Sequence, residues 1–502
     1  MPSPGPGRPR RRATPPRGRH AIAAVAAAAL VAACATPEGL APQAQPREPS
    51  ALATAQSLAG APLSPATWPS ADWWKSFGDP QLDALIAEAL AGSPTLRAAE
   101  ARTRRALALA EQAGAARYPT VDAAGSTMRE HAPLYGSQPP PFAGATGTLN
   151  DLHLTLGWEV DLWGKNRAAY EAALGQAKVA EVDVYATRLA LSTAIAQAYV
   201  ELGRAFLQLD VAQRTLEERE HIYALTRDRN AAGLDSRLEV KQAEAALPAT
   251  RERIAQLDEQ MALARNQIAA LLGAGPDRGL AIARPSAALT HAVALPSVLP
   301  AELLGRRPDL VAQRWRVESA AQTIDSAKAQ FLPDVNLVAL VGLQAFSGAN
   351  LFTAASRMVS AGPALSLPIF DGGRLRGNLA AADADYDIAV EQYNQALADA
   401  LREVVDQIAS LASVREQRAQ QRQALAAAQE AYQLALMRYQ EGIGNYLQVL
   451  SAEQPLLEQR SLDADLDSRE LALSIRLVRA LGGGYEPAPV AVAVRPEREG
   501  QR

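Results

Sequence analysis

Few residues in this chain have the types and spacing that catalysis or metal binding requires. The histidines are scattered without the spacing of metal ligands, and no glycine-rich phosphate loop or nucleophile elbow occurs. A single cysteine excludes disulfides within the chain and thiolate metal sites. These patterns predict that the protein is not an enzyme and that it holds no metal. The histidines are His20, His131, His153, His221 and His291.

The thiol of Cys34 is the one side chain whose setting indicates covalent chemistry. Residues 1–20 are rich in arginine and contain no acid, and the apolar run 21–33 is shorter than the roughly 20 residues that span a bilayer. Small residues end this run directly before Cys34, in a pattern that resembles the lipobox of bacterial lipoproteins. We therefore expect residues 1–33 to be a signal peptide and Cys34 to carry a covalent diacylglycerol and an N-acyl lipid. The alternative is an ordinary signal peptide that ends near Ala33.

The charge of the mature chain indicates that nucleic acid is not a partner. Removing residues 1–33 takes away six arginines and moves the formal net charge from −4 to −10, which leaves no basic surface in prospect. Ala35 stands where retention in the inner membrane would favour aspartate, so lipoprotein sorting points to the outer membrane. The composition of residues 34–75 predicts a flexible acylated tether, and residues 486–502 are expected to form a disordered tail.

An internal duplication organises the rest of the chain. Setting Pro94 against Pro308 aligns a series of matches, and a register shifted by five residues pairs Gly233 with Gly442 farther on. Each repeat contains a helix, two short alternating segments separated by a loop, a very long helix, a glycine and a shorter helix. The two repeats comprise residues 76–280 and 281–485.

Long α-helices dominate both repeats. In the first long helix Ile195, Leu202 and Leu209 recur every seven residues, which is typical of a coiled-coil seam. No proline interrupts residues 168–230, so this helix would extend for about 90 Å. The sequence therefore predicts a mainly α-helical fold built from long helical hairpins.

A glycine follows each long helix and is expected to turn the chain into a returning helix. Gly233 and Gly442 occupy matching positions, where a left-handed C-cap permits the turn. Pro248 and Pro455 lie inside the returning helices, where proline normally bends a helix. We therefore expect two hairpins of the same design, each with a bend in its returning helix.

Four short segments have the alternation of apolar and polar residues that membrane strands show. Four strands cannot close a barrel, since small membrane barrels have about eight, and an open sheet cannot lie in lipid with unpaired edges. The chain must therefore oligomerise if these strands cross a membrane. The predicted strands are 120–128, 151–160, 334–342 and 362–370, and the predicted outer loops are 131–147 and 344–356.

Five motifs resemble those of the outer-membrane factors of tripartite efflux pumps. The resemblance is to the TolC/OprM-like superfamily, and in particular to its NodT-type lipoproteins that serve resistance-nodulation-division (RND) pumps. It covers nearly the whole mature chain, and the motifs are specific together although none is specific alone. They are WKSFGDPQL at 74–82, WEVDLWG at 158–164, RRPDL at 306–310, LPIFDGGR at 367–374 and RYQEG at 438–442.

The resemblance implies a homotrimer in which four strands per chain form a twelve-stranded barrel among the lipids of the outer membrane. A coiled-coil tunnel would continue this barrel through the periplasm. Such a channel is a passive exit duct for drugs or other small molecules, gated at its periplasmic tips. Its partners would be a periplasmic membrane-fusion adaptor and an inner-membrane transporter, of the RND type. The adaptor would dock at Ala232, Gly233, Leu234, Asp235, Gly442, Ile443 and Gly444.

The resemblance also suggests where a gate would lie. Alignment on the tip glycines places Glu239 and Tyr439 at positions where family members form a polar tie, so a hydrogen bond between them is the gate hypothesis. The alternative is that Glu239 is a solvated charge and Tyr439 a packing residue. Some members carry an acidic ring past the second tip, where this chain has Gln448 and Ser451, which gives no basis for cation selectivity. Gly444 stands where the family often has an arginine.

Other interpretations use the same features. A periplasmic coiled-coil adaptor lipoprotein would share the signal peptide, the anchor and a helical hairpin. Adaptors, however, have one hairpin and strand-rich domains, whereas two hairpins and four strands are predicted here. Among channels, type I protein secretion and metal efflux compete with RND drug efflux.

Overall fold

The computed structural model describes most of both predicted repeats, in two units. The strand unit combines the described part of Met1–Ala44 with Ala110–Ala173 and Ser319–Ile388. The helical unit combines the described parts of Gln45–Leu109, Leu174–Glu318 and Ala389–Arg502. The described residues are 36–48, 52–53, 56–57, 63–64, 68–135, 140, 143–286, 295–296 and 305–486.

Helices carry most of both repeats. They are α1 (Pro80–Gly92), α2 (Pro94–Ala115), α3 (Lys165–Ala231), α4 (Arg237–Leu272), α5 (Pro276–Leu280), α6 (Pro308–Ala329), α7 (Arg374–Gln440) and α8 (Tyr446–Ala480). A 3-10 helix, Trp73–Phe77, precedes α1. The helix predicted over 168–230 is confirmed as α3, and α7 has the same length of 67 residues. The duplication is therefore visible in the fold.

The returning helices α4 and α8 contain the predicted prolines. Pro248 lies inside α4 and Pro455 inside α8, and each helix continues through its proline. A proline removes one backbone hydrogen bond from the helix around it. The predicted bends stay a prediction. Among the described residues, no helix is long and apolar enough to cross a membrane.

Four strands form one antiparallel sheet in the order β1-β2-β3-β4. They are β1 (Thr120–His131), β2 (Thr146–Val160), β3 (Asp334–Ala345) and β4 (Arg357–Ser366). The central pair joins the two repeats, because β2 belongs to the first and β3 to the second. In this pair Val160 lies opposite Val335. Two further strands of two residues each, Leu63–Ser64 and Leu295–Pro296, pair in parallel.

The end of the fourth strand was predicted wrongly. We expected a strand over 362–370, but β4 begins five residues earlier and ends at Ser366. Pro368 explains the early end, because proline has no N–H to donate to a sheet and restricts the residue before it. Ile369 and Phe370, which suggested a longer strand, are exposed.

The outer loops are shorter than predicted. His131 pairs with Thr146, so both ends of the predicted loop 131–147 belong to strands. β3 likewise runs to Ala345, inside the predicted loop 344–356. Pairing with a neighbour satisfies backbone N–H and C=O groups beyond the point where side-chain alternation fades. The strand pattern therefore underestimates the length of these strands.

Two of the five motifs lead into the long helices α3 and α7, which begin in the strand unit. Asp161 and Asp371 each accept a hydrogen bond at 2.8 Å from a backbone N–H in the first turn of α3 or α7. These carboxylates satisfy donors that a helix start leaves unpaired. Lys165 lies 2.6 Å from Glu159 and 2.9 Å from Asp334, so the start of α3 contacts both central strands.

The segment after the predicted lipidation site contacts α7. Arg376 donates to the Thr36 carbonyl at 2.6 Å, and Asp387 accepts from the Ala44 N–H at 2.8 Å. Leu40 packs against the apolar cluster between α6 and α7. The expectation of a flexible tether is therefore wrong for residues 36–48, because long-range hydrogen bonds hold them. Cys34, and the predicted tail apart from its first residue, lie outside the described residues.

The largest apolar core lies in the helical unit. The predicted seam residues Ile195, Leu202 and Leu209 are buried there, against the tryptophans of the 3-10 helix. The buried hydroxyl of Tyr199 donates to Asp79 at 2.8 Å, and Asp79 also caps α1. The hydrogen bonds to Asp79 outweigh its burial and lower the pKa of this carboxyl. The motif at 74–82 therefore helps to close the apolar core of the first repeat.

Candidate functional site

The two hairpin turns have the same backbone. Gly233 and Gly442 adopt left-handed φ angles of 75° and 77°, which residues with a side chain rarely adopt. The Leu234 N–H donates to the Arg229 carbonyl at 2.9 Å, and the equivalent bond in the second turn is 3.0 Å. This is the Schellman arrangement that ends a helix, and the two predicted C-caps are confirmed. The first tip comprises residues 232–238 and the second tip residues 441–447.

The returning helices begin with different polar caps. Ser236 accepts from the Leu238 N–H at 3.1 Å, and Glu239 accepts in return from the Ser236 N–H at 2.8 Å, which completes a capping box. The hydrogen bond from Ser236 lowers the pKa of Glu239. At the second tip Asn445 accepts from the Gln448 N–H at 3.1 Å. Both caps are local and leave the turns open to solvent.

Apolar side chains stand in solvent at both tips. Leu234 and Leu238 at the first tip have the repeat-equivalent positions Ile443 and Leu447 at the second, and all four are exposed. Exposed apolar groups that occur together indicate a contact surface. Among the predicted docking residues, Ala232, Gly233, Leu234, Gly442 and Ile443 are exposed, whereas Asp235 and Gly444 are half-buried.

A polar cluster beneath the first tip joins the two hairpins. The Tyr439 hydroxyl donates to the Asp235 carboxylate at 2.5 Å and lies 2.9 Å from the Thr226 hydroxyl. Arg229 donates to the same carboxylate at 3.0 Å and to the Tyr439 carbonyl at 2.9 Å. Its guanidinium lies 4.5 Å from the centre of the Tyr439 ring. We call Thr226, Arg229, Asp235 and Tyr439 the tip cluster.

The tip cluster is largely withdrawn from water. Tyr439 is fully buried, and this burial together with the hydrogen bond to Asp235 raises the pKa of its hydroxyl to about 12. The hydroxyl is therefore a donor at neutral pH. The side chains of Arg229 and Asp235 are 12% and 8% exposed, and their hydrogen bond raises the pKa of Arg229. A charge in such surroundings is costly without a partner, so each member depends on the others.

The predicted hydrogen bond between Glu239 and Tyr439 is not formed within the chain. Glu239 is bound to Ser236 in the capping box, at the exposed start of α4. Tyr439 donates instead to Asp235, which lies inside the turn and reaches the buried hydroxyl. Within the chain the acceptor of Tyr439 is therefore Asp235, while the carboxylate of Glu239 is bound at the start of its own helix.

The polar roles of Arg229, Asp235 and Thr226 were not predicted from the sequence. The duplication contains a signal for two of them. In the register that pairs the tip glycines, Asp235 corresponds to Gly444 and Thr226 to Ala435. Polar residues that replace small ones in one repeat alone are candidates for a role that the other repeat lacks.

The second tip has no counterpart of this cluster. A Cβ on Gly444 would lie 3.1 Å from the Arg438 Cβ and 3.1 Å from the Gln448 side-chain oxygen, so an arginine there would displace both groups. Gln448 and Ser451 are exposed and uncharged. Ser451 donates to the Leu447 carbonyl of its own helix at 2.7 Å. The second tip is therefore held by backbone contacts and local caps.

The tip cluster can hold two hairpins together through hydrogen bonds and one ion pair. Within the described ranges, no group of three or more His, Cys, Asp or Glu side chains is arranged to hold a metal ion. What the site offers chemically is a set of polar contacts between the hairpins that can form and break.

Comparison with known proteins places both repeats in one family. The profile of the outer membrane efflux protein family matches residues 85–274 and 299–483. The fusaric acid resistance protein FusA of Burkholderia cepacia is 42% identical over 375 residues, which cover 73% of this chain and 70% of that protein. The multidrug resistance outer membrane protein MdtP of Shigella flexneri is 35% identical over 436 residues, which cover 85% of this chain and 89% of that protein.

A solved structure gives the same result for the fold. The outer membrane protein VceC from Vibrio cholerae superposes with a TM-score of 0.78 at 39% identity, covering 84% of this chain and 100% of that one. The resemblance drawn from the five motifs is thus confirmed, together with the duplicated, mainly helical fold. The family is one of efflux conduits and not one of enzymes. The chain belongs to the outer membrane efflux protein family and serves efflux as a channel protein of the outer membrane.

Proposed function

We propose that three copies of this chain form the exit duct of a tripartite efflux system. The duct is a passive conduit that takes drugs or other small molecules across the periplasm and the outer membrane, without a catalytic step. The observation that carries the proposal is the sheet. Within the described residues, β1 and β4 each pair with one neighbour, so a single chain leaves two open edges. Lipid cannot satisfy unpaired backbone groups, whereas β4 of one copy and β1 of the next can satisfy each other.

The proposed number of copies is the one that the family resemblance implies, and the strand count of known barrels supports it. Two copies would give about eight strands, and a barrel of that size is filled by its own side chains. Three copies give twelve strands and leave space for a passage, in agreement with the number that the family resemblance implies. A homotrimer is therefore the smallest closed assembly of this sheet that can act as a duct.

Cys34 would hold the trimer to the outer membrane through its diacylglycerol and N-acyl lipid. The support is the small-residue pattern before the cysteine and the position of Ala35 after it. A single acyl chain anchors only marginally, whereas the several chains of this modification, together with the barrel, would anchor the protein stably.

The two tips would receive the periplasmic membrane-fusion adaptor, which connects the duct to an inner-membrane transporter of the RND type. The support is the exposed apolar pair that both tips present at repeat-equivalent positions. The names of the relatives concern resistance to fusaric acid and to multiple drugs, which favours small organic cargo over secreted proteins.

The tip cluster would act as the gate. It joins the first hairpin to the second through Asp235 and Tyr439, so movement of the hairpins apart must break it. The energy for opening would come from the partner proteins. Gln448 and Ser451 place no acidic ring past the second tip, so strong cation selectivity is not expected.

Mass measurement and pore recording on the detergent-purified mature protein test this proposal together. We expect a trimer by light scattering and discrete pores in planar bilayers. The matched variant Cys34→Ala should keep the trimer and the pores but lose the incorporation of labelled fatty acid. A mature chain that stays monomeric and soluble without detergent would contradict the duct, and an unlabelled wild type would contradict the anchor.

A further inference from the structure

A second polar contact between the hairpins lies farther from the tips than the tip cluster does. Arg219 in α3 donates through Nε to the Glu453 carboxylate in α8 at 2.7 Å. The two side chains are 15% and 4% exposed. Exposed ion pairs contribute little to stability, but breaking a buried one is costly because it leaves a charge without a partner. We call Arg219 and Glu453 the deep pair.

Arg219 also binds the helix that returns from the first tip. Its Nη1 donates to Thr250 Oγ1 at 2.8 Å and to a backbone carbonyl of α4 at 3.2 Å. These two acceptors flank Pro248, and Glu453 precedes Pro455 by two residues. One guanidinium therefore joins three helices at the level of both interior prolines, where the returning helices lack a backbone hydrogen bond.

The surroundings of the deep pair are apolar and aromatic. Tyr432 and Tyr446 belong to the buried cluster of this region, together with Leu456. Burial raises the pKa of both phenols, and the charges of Glu453 and Arg219 also act on them. Electrostatic interactions are strong where water is excluded, so the deep pair has a larger effect than its exposed counterparts.

Other ion pairs between α3 and α8 are more exposed. Arg204 lies 3.1 Å from Asp465, and Arg460 lies 2.9 Å from Glu218. Their side chains are between 21% and 43% exposed. Solvent weakens such pairs and replaces their contacts when the helices separate. Among the described pairs between these two helices, the deep pair is the one that water replaces least easily.

We propose that the deep pair is a second closing contact, which positions the hairpins so that release of the tip cluster alone opens the duct incompletely. This inference rests on the proposed gate. Arg219 belongs to the first hairpin and Glu453 to the second, so outward movement of the second hairpin separates the two charges. The pair therefore stabilises the closed arrangement relative to the open one, and full opening requires both contacts to break.

Pore recording on full-length trimers in planar bilayers tests the inference with the variants Glu453→Gln, Tyr439→Phe and the two combined. Glu453→Gln keeps the size and the hydrogen-bonding capacity of the side chain but removes the charge. We expect an increase of about tenfold in the open fraction, the effect of weakening a charge-assisted hydrogen bond in one of two states. The combined variant should open more than either single variant.

Glu220→Gln is the matched control. Glu220 lies 2.9 Å from Arg251 and also pairs α3 with α4, but the two side chains are 49% and 59% exposed and belong to a single hairpin. We expect its open fraction to equal that of the wild type. A rise equal to that of Glu453→Gln would overturn the inference, because any loss of a carboxylate would then have the same effect.

The outcomes separate the deep pair from the proposed gate. Wild-type conductance in Glu453→Gln, together with a combined variant that opens no more than Tyr439→Phe alone, overturns the deep pair, and the gate survives if Tyr439→Phe opens the pore. The reverse pattern overturns the tip cluster as the gate and supports the deep pair. If Glu453→Gln fails to fold, Thr250→Val removes one acceptor of Arg219 without leaving a charge unpaired, and an unchanged open fraction in that variant overturns the inference. Trimers without pores in the wild type and in every variant overturn both.

Discussion

The first and second tips have one backbone design and two different sets of side-chain contacts. Both turns contain a left-handed glycine and present two apolar side chains to solvent. Asp235 in the first turn corresponds to Gly444 in the second, and the carboxylate that the second turn does carry, Glu441, is exposed. Arg229 is bound within the tip cluster, whereas its equivalent Arg438 is exposed. The two repeats therefore share the residues that form the turn and its exposed surface, and they differ in the residues that connect the hairpins.

In the proposed function, this difference separates docking of the adaptor from closure of the duct. The glycines and the exposed leucine or isoleucine positions fit a docking surface, which benefits from repetition. The tip cluster connects two hairpins, and one such connection serves both of them. A duplicated fold can therefore be symmetric where it meets a partner and asymmetric where it holds itself closed.

The largest expected contrast is between Arg229→Ala and Arg438→Ala. Removing Arg229 leaves the nearly buried Asp235 with fewer donors, so we expect the free energy of opening at the first tip to fall by about 2–3 kcal/mol. Arg438 is exposed, and its replacement should change the second tip by less than about 0.5 kcal/mol. Hydrogen–deuterium exchange of the tip amides in detergent measures both values. Equal effects at the two tips would refute the asymmetry.

Replacing the tip glycines should affect both tips equally. Gly233→Ala and Gly442→Ala each force a side chain into a left-handed conformation and should weaken the turn by about 1 kcal/mol. A Cβ on Gly233 meets no atom within 4 Å, and one on Gly442 lies 3.9 Å from the nearest, so strain and not crowding sets this value.

Gly275→Ala is the control for the tip glycines. This position is equally open but has an ordinary φ of −71°. We expect no loss of stability there in the same exchange experiment. A clear difference between Gly233→Ala and Gly442→Ala would mean that the two turns are not equivalent in backbone.

Tyr439→Phe makes the first tip more like the second. The variant loses the hydroxyl that donates to Asp235 but keeps the ring under Arg229, so the tip should become easier to open by about 1 kcal/mol. Exchange at the first tip and pore conductance should both rise. Tyr135→Phe, at a tyrosine 97% exposed, should change neither. Unaltered exchange in Tyr439→Phe would show that the hydroxyl does not stabilise the tip cluster.

The smallest expected effect is a dependence on high pH. The pKa of Tyr439 is raised from 10.0 to about 12 in the folded protein, mainly by burial. A raised pKa stabilises the protonated form, so this contribution is complete below pH 10 and is lost as the pH rises to about 12. The thermal unfolding midpoint should fall more steeply over this range in the wild type than in Tyr439→Phe. Parallel curves would contradict the assignment.

Local and periodic features of the sequence predicted the fold well. The seven-residue spacing that includes Ile195 follows from the geometry of packed helices, and the tip glycines follow from the geometry of one residue. Comparison of one repeat with the other also predicted two hairpins of the same design. Strand ends were less predictable, because Pro368 acts on the hydrogen-bond ladder and not on the side-chain alternation.

The contact between the hairpins could not be read from one sequence. Asp235 and Tyr439 are 204 residues apart, and nothing in the local pattern of either residue indicates the other. The family alignment suggested Glu239 as the partner of Tyr439, but the carboxylate of Glu239 is bound in the capping box of α4. The docking of residues 36–48 on α7 was hidden for the same reason, since its hydrogen-bond partners lie more than 300 residues away.

The pairing of β2 with β3 has a consequence for how the chain is made. The centre of the sheet cannot form until Val335, 175 residues after Val160 in the chain, is available for pairing. Until then the hairpin of β1 and β2 has an open edge on each side, which invites pairing with other chains. Contacts of such sequence separation form slowly. The exported first half is therefore prone to aggregate until the second half arrives and pairs with it.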